Sequence, residues 1–376
     1  MDKGYLTEIL QALSAPERAA FRKYLCSPYL NARQDVLALF DQLNARGDSP
    51  PQDRRALQRT VFPGQSFDTR QWNYTVSYLT KLAESFLAQR EWEADPAAQG
   101  RYLLRSFRKR RLSRLAERAR RAQEQRLEKQ SGRGGAYFRQ RYRLAFETLQ
   151  GYLQQGRGRD FNVDALSEAH EKAFVCEKLK LGCMLQSVRT VAAREYEAGL
   201  LPVLLVFLQN HRWLEEPVIA AWYHGYHVQA DAGASEHFEP LKTLIIRRDV
   251  LLPDEDRHDL FLLAVNFCIR RINSGQPAYS AELFDLYREG LEQGVFLEDG
   301  VLSRWSYNNI VNTALKMGQT DWALQFLEDY RLRLEPAFRD TNYFFNLARC
   351  RYVCCPCGTA GTGRADLRRE CHRRGR

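Results

Sequence analysis

Apolar residues recur along this chain at intervals of three and four, and almost nowhere do they alternate for more than a few positions. That period belongs to amphipathic helices and predicts an all-α protein. The pattern is clearest from Ser306 to Pro336, where Tyr307, Ile310, Ala314 and Met317 form one apolar stripe and Gly318 interrupts it. A second stripe, Trp322, Ala323, Phe326, Leu327 and Tyr330, stops before Pro336, so the segment predicts one helix-turn-helix unit. Against the tetratricopeptide pattern, Tyr307 takes the Trp place, Ile310 the Leu place, Ala323 the Ala place and Leu327 the Phe place. Val311 and Ala314 depart from the expected Gly and Tyr, and Pro336 falls one residue late. One such unit cannot bury its apolar face alone, so neighbouring pairs must continue the stack.

Upstream, Leu6, Ile9, Leu10 and Leu13 mark a first helix, and Ser14 with Glu17 makes a capping box for a second that carries Phe21, Tyr24 and Leu25. Pro28 ends it, and Asn31 with Gln34 is expected to cap the next. After a Gly47 to Pro51 loop, Asp68 with Gln71 caps a long helix bearing Trp72, Val76, Leu79, Ala83 and Phe86. Three helices follow between Asp95 and Leu153, broken near Ser113 and across Gly132 to Gly135. Gly156 to Arg159 reads as a linker before a long helix from Asp164, after which come shorter helices up to Ile272 and a further pair-forming helix with Leu283, Tyr287 and Leu291. The expected organisation is a helical head (1–94), a basic helical segment (95–155), an irregular helix-pair, tetratricopeptide-like superhelix (156–352) and a tail (353–376).

Three stretches carry a resemblance: FRKYLCSPYLN at 21–31, NFCIRRIN at 266–273, and LEDG at 297–300 with WSY at 305–307. With these, the chain resembles a family of uncharacterised bacterial all-helical proteins over residues 1–352. The resemblance implies a helical head and helix pairs that look tetratricopeptide-like toward the C-terminus. It implies no activity, so no functional residue carries over. The tail departs from the family and from the helical pattern alike. Tyr343 to Tyr352 starts a fresh first helix, but Pro356, Gly358, Gly361 and Gly363 would break its partner, and five of the nine cysteines crowd there. The expectation is a truncated C-terminus in which translation leaves the ancestral frame near Val353.

Composition narrows the class. The chain has 376 residues, 44% of them hydrophobic and 27% charged, enough to bury a sizeable core. The opening MDKGYLTEIL is amphipathic and predicts no secretory signal, and the apolar run from Leu200 to Leu208 is too short to span a bilayer. With Cys26, Cys176, Cys183 and Cys268 scattered and expected to be reduced, these features predict a cytoplasmic protein with no membrane partner. The net charge of +10 is concentrated. Arg101 to Arg143 holds 16 Lys or Arg against 3 Glu, and the remaining body is mildly acidic.

That basic stretch is the strongest candidate chemistry. Arg105, Arg108, Lys109, Arg110, Arg111, Arg114, Arg118, Arg120 and Arg121 lie on two successive predicted helices, and guanidinium groups pair with phosphates. Tyr102, Phe107, Tyr137, Phe138 and Tyr142 flank it and could stack bases, although their helical spacing suits a core equally well. A solvated face explains the same charges.

Metal and catalytic motifs fail. Cys354 and Cys357 with Cys371 and His372 invite zinc, but adjacent Cys371 and His372 are poorly placed to share one ion. His224 and His227 sit three apart on an aromatic helix with Trp222, Tyr223 and Tyr226, which suits packing. His170-Glu171 starts a zincin motif that Phe174 ends. No cofactor, metal or enzymatic role is expected. The predicted function is a non-enzymatic scaffold binding an unknown protein or peptide partner in a concave groove, with Trp305, Tyr307, Asn308, Trp322 and Tyr330 as candidate anchors. The alternative is an RNA or DNA binder using the basic helices.

Overall fold

The computed structural model describes residues 3–45, 54–66, 68–155, 162–192, 197–230 and 235–354. The expected loop at Gly47, the linker at Gly156 and the cysteine-rich tail beyond Cys354 lie outside the described residues. Among the described residues the fold is all-α, with 17 α-helices and one two-stranded hairpin. The chain divides into two compact units, 1–123 and 124–376, whereas its composition suggested divisions after 94 and 155.

The first unit contains α1 (Lys3–Ala12), α2 (Ala15–Leu25), α3 (Gln34–Asn44), α4 (Arg54–Val61), α5 (Thr69–Ala94), α6 (Pro96–Lys109) and the start of α7 (Ser113–Glu128). The first unit continues past Ala94, where Asp95 caps α6 by accepting the Ala98 N–H at 2.9 Å. The capping box forms as spaced: the Ser14 N–H and hydroxyl both donate to Glu17 Oε2, at 2.8 and 2.6 Å. Asp68 accepts the Arg70 N–H at 2.8 Å at the start of α5. The Phe21 ring lies 5.1 Å from both Phe40 and Phe86, joining α2, α3 and α5 in one core.

Asn31 has a different task from the one its position suggests. Arg33 is the residue that precedes α3. The buried Asn31 side chain instead donates to the Leu25 carbonyl at 3.0 Å and accepts the Arg33 N–H at 2.9 Å. Helix α2 cannot continue through Pro28, so its end carbonyl lacks a helical donor, and Asn31 supplies one.

The second unit continues with α8 (Gly135–Gln155), α9 (Val163–Ala192), α10 (Leu201–Leu208), α11 (Pro217–Ala230), α12 (Ser235–Ile246), α13 (Asp254–Asn273), α14 (Tyr279–Glu292), α15 (Arg304–Lys316), α16 (Thr320–Tyr330) and α17 (Arg339–Cys354). Packing is between near neighbours: α11 lies against α12 and α13, α12 against α14, α15 against α16 and α17. From α11 onward successive helices pack on one another, and α11, α12 and α15 also reach the next but one, which is how stacked helix pairs bury a continuous core. Buried Arg257 on α13 closes the end of α12, donating to the Arg247 and Val250 carbonyls at 3.2 and 2.7 Å. Helix α15 ends as its sequence predicts. Gly318 adopts φ +69°, and the Gln319 N–H reaches the Ala314 carbonyl at 2.9 Å in a Schellman closure.

The hairpin between α14 and α15 pairs β1 (Leu297–Glu298) with β2 (Val301–Leu302). Asp299 and Gly300 both take positive φ, the geometry of a two-residue hairpin turn. Strands this short leave no alternation for a sequence pattern to reveal. No helix among the described residues is long and apolar enough to cross a membrane.

Candidate interaction surface

Helices α15 and α17 run parallel and meet along a row of amide side chains. Asn308 Nδ2 donates to Asn342 Oδ1 at 3.0 Å, and Asn346 Nδ2 donates to Asn308 Oδ1 at 2.6 Å. Arg349 extends the row, donating to Asn346 Oδ1 at 3.3 Å and to Asn312 Oδ1 at 2.9 Å. Asn346 is fully buried, whereas Asn308, Asn312, Asn342 and Arg349 are half-buried. Each helix places two asparagines four apart on one face, and equivalent positions are separated by 34 residues. Arg349 stacks over Phe345 at 5.6 Å, and Arg304 lies over Phe338 at 4.3 Å and Trp305 at 4.9 Å.

The five residues expected to line a groove do not act together. Trp305 is 68% exposed and Asn308 belongs to the amide row, so these two share the α15–α17 face. Tyr307 is a correction: its relative exposure is 0%, its hydroxyl donates to the Leu327 carbonyl at 3.3 Å, and it cannot touch a partner. It points into the α15–α16 contact because it lies on the apolar stripe with Ile310 and Ala314. Half-buried Trp322 packs on Phe284 at 5.0 Å and Phe326 at 5.5 Å, and the Tyr330 ring stacks on Phe326 at 5.0 Å. Those two belong to the packing of α16. Asn312, Asn342, Asn346 and Arg349 complete this face and are not aromatic anchors. Their signal was the repeated Asn-x-x-x-Asn pair at 308–312 and 342–346.

The basic candidates lie on α6, α7 and the turn between them. Arg105, Lys109, Arg110, Arg111, Arg114, Arg118 and Arg121 are exposed and Arg108 is half-buried. The turn is a second Schellman closure, with the Leu112 N–H bonded to the Phe107 carbonyl at 3.0 Å and the Arg111 N–H to the Arg108 carbonyl at 3.0 Å. Arg111 takes φ +58° at the position that glycine usually occupies. Glu117 receives Arg120 at 2.7 Å and Arg121 at 2.8 Å, and these bonds hold its carboxyl down to about 2 against the opposing effect of burial. Of the flanking aromatics, Tyr102 is exposed, Tyr142 and Phe107 are half-buried, and Tyr137 and Phe138 are buried. Burial removes the last two as stacking platforms for bases.

Helix α12 brings His237 to the His224 and His227 pair of α11. The Nδ1 atoms of His224 and His237 lie 2.9 Å apart, and the rings of His227 and His237 stack at 4.2 Å. Burial, then the neighbouring His237 and His227, push His224 down to about 4. The His227 and His237 rings are nearly parallel, so the three do not converge on one point. Among the described residues no group of three or more His, Cys, Asp or Glu could hold a metal ion. Cys176, Cys183, Cys268 and Cys350 are buried, and Cys26 is exposed.

Comparison with protein-family models, with curated proteins and with solved structures finds no match to this chain in any of the three.

Proposed function

We propose that this chain is a non-enzymatic, cytoplasmic bacterial scaffold that binds a protein or peptide partner on the face formed by the first helices of its C-terminal pairs. The observation that carries this reading is the amide row between α15 and α17, bordered by exposed Trp305 and Phe345. Beside that row the exposed Asn309 amide offers a donor and an acceptor together, the combination that a polypeptide backbone requires. An exposed Trp beside such a row is the residue type that anchors interfaces. The 34-residue offset equals the tetratricopeptide repeat length and supports the helix-pair reading.

The test is affinity purification of the tagged chain from a bacterial host, with and without nuclease, repeated with Trp305→Ala. A defined protein that survives nuclease and is lost with Trp305→Ala is expected. Retention of that protein by Trp305→Ala would move the binding face elsewhere.

A second reading rests on the exposed arginines around the α6–α7 turn, which would neutralise phosphates of RNA or DNA. It requires affinity that falls steeply with salt and collapses when Arg110, Arg111 and Arg114 become Glu. Filter binding with single-stranded and duplex probes decides it, and salt-insensitive or absent binding would end it.

A further inference from the structure

We infer that the α15–α17 face takes an extended, acidic peptide segment, whose side-chain carboxylates pair with Arg349, Arg304 and Lys316 while its backbone bonds to the amides of Asn309 and Asn312. The inference rests on the scaffold reading above and names the chemistry of its partner.

Three observations converge on a negatively charged occupant. Arg349 is held half-buried by two neutral amide oxygens, Asn346 Oδ1 and Asn312 Oδ1. Among the described residues no carboxylate lies within ion-pair distance of it, nor of Arg304 or Lys316, whereas the half-buried lysines Lys172, Lys180 and Lys242 of this unit have one. Lys180, for example, pairs with Asp256 at 2.9 Å. The positions that face outward beside the amide row, Trp305, Asn309, Asn312 and Lys316 on α15 and Phe345 and Tyr352 on α17, include no acid. A guanidinium pre-positioned by amides and lacking a counter-charge is a strong site for a carboxylate.

The shape of the occupant follows from spacing. Arg304 and Lys316 are twelve positions apart on α15, about 18 Å at the helical rise, which matches about five residues of extended chain. Cationic positions spread over that length suit several acidic side chains. A single terminal carboxylate would call for cations gathered at one point. Asn309 is exposed and the Asn312 Nδ2 has no acceptor among the described residues, so both amides can pair only with groups brought from outside. A helical ligand has its backbone already satisfied, whereas an extended one presents free N–H and C=O groups. Trp305 and Phe345 border the face and would pack on apolar residues between the acids.

The experiment is selection of a displayed random dodecapeptide library on the full chain, followed by fluorescence anisotropy with the enriched peptides made synthetically. Enriched sequences should carry two or more Asp or Glu interspersed with apolar residues. Their affinity should fall about tenfold or more with Arg349→Glu or Asn312→Asp, and also with Lys316→Glu, which alters an exposed position and spares the fold. Amidating the peptide C-terminus should change nothing; a loss on amidation would show that a terminal carboxylate is read and would overturn the extended acidic assignment. Enriched peptides without acids, bound equally well by all three variants but lost with Trp305→Ala, would sink this inference while leaving the scaffold reading intact. Peptides indifferent to every one of these substitutions would remove both. Competition by single-stranded RNA that is lost with Arg349→Glu and Lys316→Glu would reassign the face to phosphate.

Discussion

Asn308 and Asn342, 34 residues apart on parallel helices, join through a side-chain hydrogen bond of 3.0 Å, and Asn346 fills the remaining acceptor of Asn308 at 2.6 Å. The row is polar yet substantially buried, so its members depend on one another. An unpaired buried amide loses its solvation without compensation. Asn346→Ala leaves Asn308 Oδ1 unpaired at the floor of the row and removes one acceptor of Arg349. We expect a loss of roughly 2 kcal/mol in urea denaturation. A loss near zero would mean that water replaces the amide and that the row is open to solvent.

Tyr307 and Trp305, two positions apart on α15, should respond oppositely to truncation. Tyr307→Ala opens a cavity between α15 and α16 and should cost about 3–5 kcal/mol. Trp305→Ala should change stability by roughly 0.5 kcal/mol or less while affecting binding. Thermal denaturation of the two variants checks the contrast. Equal losses would place Trp305 in the core as well.

The histidine cluster predicts a pH dependence of determinate sign. His224 is held below its unfolded value by burial and by His237 and His227, and burial likewise lowers His227 and His237, with only Glu236 opposing. Between the folded and unfolded values the unfolded chain binds more protons, so stability is present above about pH 6.5 and is lost as pH falls toward about 4. Melting temperature should decline across that window. His224→Gln should flatten the decline, and an unchanged slope would mean that other groups dominate acid unfolding.

Arg111 sits in the left-handed region at the close of α6. Arg111→Gly should raise stability by about 1 kcal/mol, because glycine meets no Cβ penalty there. Chemical denaturation checks this, and a loss of stability would mean that the Arg111 side chain contributes contacts worth more than the strain.

Helix positions and ends were legible along the chain because their causes are local. The Ser14–Glu17 box, the Asp68 cap and the Gly318 closure each act within a few residues, and a three-to-four-residue apolar period survives without knowledge of the partner surface. The same spacing located α6, α7 and α8 across breaks near Ser113 and Gly132. Residue roles were less legible wherever a second helix chooses them. Tyr307 and Trp305 are both large aromatics on one helix, and only the seat of α16 makes the first a core residue. Asn31 looked like a cap until the end of α2 claimed its amide.

By itself, then, the sequence determined an all-α chain, the order and bounds of most of its helices, and a concentration of arginine around one turn, since backbone propensity, capping and charge are properties of contiguous residues. Tertiary structure alone decided that Asn308 meets Asn342, that Arg349 is held by amides with no acid beside it, and that His237 joins His224. Those contacts depend on the register between helices, which many side chains set collectively and no short stretch encodes.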